Sequence, residues 1–132
     1  MKPFKKYIRE TSTDYFVKEM QAYTLIIGKS QDIFSHYGVE EMHGLRKEDS
    51  YDTPSDAYMA GLSNYNPHGE NEKPFLFLNE MRLGNGGHMD TLLIMHETMH
   101  MSLLLHNWDI ENKEEEIITW AEEEAAKIYK LL

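Results

Sequence analysis

Cysteine is missing from all 132 residues, which excludes disulfide staples, thiol nucleophiles, Cys-ligated zinc fingers and iron–sulfur ligation. Basic residues are scarce as well: 13 Lys and Arg stand against 23 Asp and Glu, a formal charge of −10. A field of that sign repels phosphate backbones and anionic lipid, so neither nucleic acid nor a membrane surface is an expected partner. The one local run of positive charge is Lys2, Lys5, Lys6 and Arg9. Long apolar runs are also lacking. No stretch reaches the roughly 18 residues of a membrane span, and MKPFKKYIRETSTDYF has charge with no apolar segment behind it, unlike a secretory signal. There is no internal repeat and no low-complexity tract. The expectation is one cytoplasmic domain over residues 1–132, because a chain of this length can bury roughly two-thirds of its unfolded surface without covalent staples.

What is present falls into recognisable elements. Residues 14–37 carry Phe16, Val17, Met20, Tyr23, Thr24, Ile27 and Phe34 at spacings of three and four, which predicts a long N-terminal helix with one buried stripe. Residues 38–56 mix charge with Gly and Pro and read as a loop, with a short strand or turn at its start. AYMAGLSNY (57–65) and KPFLFLNEM (73–81), joined by the turn-forming NPHGENE, read as a hairpin. The unbroken Phe75-Leu76-Phe77-Leu78 predicts a strand covered on both faces. After Gly84-Asn85-Gly86-Gly87, Asp90 is placed to N-cap a helix over TLLIMHETMHMSLLLH (91–106), which is apolar nearly all round and so is expected to be buried. KEEEIITWAEEEAAKIYKLL (113–132) is amphipathic, with a stripe through Ile117, Ala121, Ala125, Ile128 and Leu132. Trp108 and Trp120 read as packing residues. The fold class is α+β.

Inside the apolar helix lies His96-Glu97-Thr98-Met99-His100, an H-E-x-x-H pattern. A chain of this composition produces it by chance about 0.04 times. Residues i and i+4 of a helix share a face, so both imidazoles can reach one ion; two nitrogen donors suit Zn²⁺, and the intervening carboxylate can take a proton from zinc-bound water as general base. The competing reading is a pair of core histidines satisfied by neighbouring carboxylates. A catalytic zinc normally takes three protein ligands. His106 has the spacing of a third histidine, but Leu103 stands where a glycine would be needed to break the helix, and a helix C-terminus favours a histidine for its own reasons. A glutamate of the last helix is the alternative. Projected around that helix, Glu114 falls on the buried stripe, Glu115 near its border and Glu124 at its edge. Glu114 is preferred as third ligand, Glu115 next, with Glu124 and His106 remaining open.

PFLFLNE (74–80), a Gly-rich break, HETMH (96–100), and Glu114 followed by Ile117, Trp120 and Ala121 together resemble the ImmA/IrrE-type zinc metallopeptidases, and more broadly minimal gluzincins. The resemblance spans about residues 57–125 and has a shorter gap from His100 to Glu114 than is usual there. It implies a zincin-like fold: a small antiparallel or mixed sheet, the long N-terminal helix, a buried H-E-x-x-H helix and a C-terminal backing helix. It also implies a zinc-dependent peptidase with one zinc ion held by His96, His100 and Glu114, Glu97 as general base, and a peptide or protein as substrate, with the run 57–65 facing that substrate. The alternative is a metal-binding scaffold or regulatory protein of the same fold without hydrolytic activity.

Overall fold

In chain order the elements are β1 (Phe16–Glu19), β2 (Thr24–Gly28), α1 (Ser30–Tyr37), β3 (Glu41–Met42), β4 (Leu45–Arg46), a 3-10 turn (Lys47–Asp49), β5 (Gly61–Asn64), β6 (Phe75–Asn79), α2 (His88–Leu105) and α3 (Ile110–Lys130). The structure is a computed structural model and describes residues 15–83 and 88–132. The basic N-terminal residues and the Gly84–Gly87 break therefore lie outside the described residues. No helix among the described residues is long and apolar enough to cross a membrane.

Two stretches without polar alternation make the centre. Strands β2 and β6 are buried along their whole length and pair in parallel, Thr24 opposite Phe75 and Gly28 opposite Asn79. β1 joins β2 and β5 joins β6, both antiparallel, giving a mixed sheet of order β1-β2-β6-β5 with β5 at an edge. Successive side chains of the two central strands point to opposite faces, and both faces are covered. On one side Leu25, Ile27, Leu76 and Leu78 pack with Ile94, Met101 and Leu104 of α2 and Ala125 and Ile128 of α3. On the other, Ile26, Phe75 and Phe77 pack with Ile33 and Phe34 of α1 and Met42 of the small β3–β4 hairpin. The reading of 75–79 as a strand covered on both faces, hairpin-paired with the run before it, holds.

The long N-terminal helix is corrected. Residues 16–28 form the β1–β2 hairpin, and only Ser30–Tyr37 is helical. The turn runs through Met20–Tyr23, closed by the Met20 N–H donating to the Tyr23 carbonyl at 2.9 Å. It contains no Gly, Pro, Asn or Asp, so no turn chemistry announces it. The three- and four-residue spacing arose from a strand, a turn and a second, fully buried strand placed end to end. Gly28 closes β2 where the chain is tight: a Cβ there would lie 2.7 Å from both Asp32 Oδ2 and Tyr15 Cβ.

Asp52 ties the segment leading into β5 to the centre. Its carboxylate accepts from the Ser30 N–H (2.8 Å), the Ser30 hydroxyl (2.6 Å) and the Tyr58 N–H (2.7 Å). The buried Asn79 amide donates to the Ser30 hydroxyl at 3.1 Å and to the Met59 carbonyl at 2.9 Å. Partial burial raises the Asp52 pKa, but the bonds from Ser30, Tyr58 and Asn79 outweigh it and hold the carboxyl below its usual range.

Helix α3 starts earlier than the periodicity suggests, with Asp109 accepting from the Asn112 N–H at 3.3 Å, and it is kinked at Lys113. The reversal before it uses Asn107 and Trp108 at positive φ, and Trp108 stands exposed rather than packed. Trp120 meets Tyr23 edge-on. Of the five predicted stripe residues, Leu132 lies past the end of the helix and is half-buried, while Ile117, Ala121, Ala125 and Ile128 are buried. One carboxylate joins them. Glu124 is 8% exposed and accepts from the Tyr23 hydroxyl at 3.1 Å and the Lys127 ammonium at 2.9 Å. Burial, then the charge of Glu124 and its hydrogen bond, push the Tyr23 phenol far above its ordinary pKa. Tyr23→Phe should lower stability by about 1.5–3 kcal/mol, because it deletes a bond to a charged group and leaves Glu124 with one partner. Urea unfolding measures this, and a change below about 0.5 kcal/mol would refute it.

Candidate metal centre

Helix α2 is covered on two sides rather than all round. The sheet and α3 bury Ile94, Glu97, Thr98, Met101, Ser102 and Leu104, and the Ser102 hydroxyl donates to the Ile117 carbonyl at 2.7 Å across the helix pair. The opposite side is open. Met89 and Leu92 are 62% and 58% exposed, and His96 and His100 share that side. The expectation of a wholly buried helix is thus corrected: an all-apolar composition demands burial only where a neighbouring layer exists, and here the four-stranded sheet and one helix are the layers. Asp90 sits in the first turn, buried, rather than ahead of it, since the helix already begins at His88.

The two imidazoles converge. His96 Nε2 and His100 Nε2 are 3.1 Å apart, with ring centroids separated by 4.6 Å. In the absence of an ion one of these nitrogens donates a hydrogen to the other. Two donors of one tetrahedral ion at about 2.0–2.1 Å stand roughly 3.3–3.4 Å apart. The pair therefore fits two positions of a zinc site within a few tenths of an ångström, on an open helix face that an ion can reach.

Glu97 projects to the neighbouring side, toward β5. It is 4% exposed. The Ser63 hydroxyl lies 3.0 Å from Glu97 Oε1 and 2.9 Å from the Glu97 carbonyl. Desolvation raises the pKa of this carboxyl above the usual range, while Ser63, His100 and His96 pull it back in part. The side chain thus sits between a strand hydroxyl and two imidazoles, with an enhanced affinity for a proton.

The last helix supplies nothing to this pair among the described residues, where no group of three His, Asp or Glu side chains is gathered for an ion. Glu114 and Glu115 are both exposed. The placement of Glu114 on a buried stripe is corrected for a geometric reason. Ser102 bonds to Ile117, so one helical turn earlier Glu114 lies level with the end of α2, just after the kink at Lys113, where no layer covers it. The inward-turned glutamate is Glu124, and it is already engaged by Tyr23 and Lys127. His106 ends α2, its Nδ1–H donating to the Ser102 carbonyl at 2.7 Å, and it lines a groove with Glu115, Glu116, Thr119, Trp120 and Glu123, apart from the histidine pair.

Asn79 spends its amide on Met59 and Ser30, and His88 and Tyr58 are exposed. The residues that sequence reading missed are Gly61 and Ser63. Their signal was available: two small residues alternate with Leu62 and so face one side of a strand. No protein-family model matches the chain, and neither the curated proteins nor the solved structures compared with it contain a match.

Proposed function

We propose that the chain is a zinc-dependent peptidase of zincin type, in which His96 and His100 bind the metal and Glu97 is the general base. The observation that carries the reading is the 3.1 Å approach of the two imidazole nitrogens on an open helix face, with a buried carboxylate one residue along. His96 and His100 would hold the zinc ion, which when bound would supply Lewis-acid polarisation of the scissile carbonyl and a lowered pKa for water. Glu97 takes the proton of the attacking water on a carboxylate oxygen and passes it to the leaving amine. Strand β5, an edge strand beside α2, is the surface on which an extended peptide adds by main-chain hydrogen bonds.

Glu114 is the third protein donor in this reading, with Glu115 beside it as the second candidate. Zinc titrations of Glu114→Ala and Glu115→Ala assign it: the ligand's variant loses about a hundredfold or more in affinity, and two unaffected variants leave a two-histidine site completed by water. That second outcome favours the other reading, a metal-binding module without hydrolytic activity. The deciding experiment is cleavage of an unfolded protein substrate by zinc-loaded chain, with and without chelator, followed by mass spectrometry. Chelator-sensitive fragments are expected; intact substrate after prolonged incubation with zinc-loaded chain would end the peptidase reading.

A further inference from the structure

We infer that strand β5 holds the Glu97 carboxylate in place, with Gly61 and Ser63 as its positioning residues. This rests on the reading of Glu97 as the base, but the contact itself can be tested without catalysis. Gly61 and Ser63 are two apart on a strand and face α2, while Leu62 between them packs with Phe75 and Phe77 on the far side of the sheet. Each of the two grips a different part of the glutamate. Ser63 has one hydroxyl proton, shared between Glu97 Oε1 at 3.0 Å and the Glu97 carbonyl at 2.9 Å. Gly61 acts by what it lacks: a Cβ there would stand 2.7 Å from Cγ and 2.8 Å from both Cδ and Oε2 of Glu97. The glutamate lies flat against strand backbone in a space that only glycine leaves open.

A free glutamate side chain samples many rotamers, and ordering it costs on the order of 1–2 kcal/mol. Here that ordering is done by the fold before any substrate arrives, which is the condition for a base to act without reorganising. The strand that presents the open edge is also the strand that orients the base, so the two are set by one packing contact between β5 and α2. Ser63 and Gly61 touch no reacting atom in this arrangement; they act through Glu97.

The test uses the full chain. Ser63→Ala is expected to lower kcat of peptide hydrolysis about tenfold with KM and zinc stoichiometry unchanged, and Ser63→Thr, which keeps the hydroxyl, to recover to within about threefold. Gly61→Ala, pressing on the carboxylate from the other side, should lower kcat at least as far. A Ser63→Ala enzyme with kcat within twofold of wild type, or a loss confined to KM, overturns the inference. A double-mutant cycle on the zinc-free chain reads the same contact by melting temperature. Ser63→Ala should cost about 3 °C in the wild-type background and measurably less beside Glu97→Ala, where the hydroxyl keeps only the residue-97 carbonyl, whereas equal losses in the two backgrounds overturn it. If the wild-type chain cleaves nothing, the peptidase reading falls and the cycle still decides whether β5 holds Glu97. Intact cleavage with an additive cycle is the reverse case.

Discussion

Glu97→Gln is expected to lower peptide hydrolysis by about a thousandfold or more while the chain still takes up close to one equivalent of zinc. The amide has the size of the carboxylate, and its oxygen can still accept from Ser63, so the packing against β5 survives. What it loses is the capacity to take a proton. General-base assistance contributes about 10²–10⁴ in rate. Initial rates on a quenched fluorescent peptide, with metal content measured on the same samples, check both halves. An unchanged cleavage rate would sink Glu97 as the base and send the search to another carboxylate. Loss of zinc in this variant would mean that Glu97 is a ligand.

The second large effect concerns the histidines. His96→Ala and His100→Ala should each weaken zinc binding by about a hundredfold or more and remove hydrolysis with it, since each deletes one of two convergent donors. Both side chains are exposed, so truncating them removes little packing, and the melting temperature of the metal-free variants should stay within about 1 °C of wild type. That combination separates a ligand from a core histidine, which would lose stability when truncated whether or not metal is present. Competition with a chromophoric chelator gives the affinities. A double variant that still holds zinc as tightly as wild type would remove the pair from the site and the zincin reading with it.

Legibility in the sequence followed the kind of force that shapes each element. β6 was readable because four apolar residues in a row admit few environments, and covering on both faces is the one found. α2 was readable from a long apolar run behind a Gly-rich break, and the stripe of α3 from a long, unmixed period. The β1–β2 hairpin was not, because Met20–Tyr23 turns without any residue that favours turns, and Ile26 and Ile27, on opposite faces of a central strand, are buried alike. Helical projection found the right stripe on α3 but put Glu114 on it, where the structure leaves Glu114 exposed and buries Glu124. A projection gives direction around the axis and says nothing of where along the axis a neighbouring layer ends; α2 ends level with Glu114, while Tyr23 offers its hydroxyl at Glu124.

The sequence by itself determined an acidic, cysteine-free α+β chain and the helical i, i+4 spacing of His96 and His100, since that spacing is a local property of one helix. Only the tertiary structure decided which side of that helix stays open, that Glu97 turns into the sheet, and that Gly61 and Ser63 receive it there. Those outcomes depend on which layer lies against which face, and residues 34 and 36 positions apart in the chain meet only because β5 and α2 pack together.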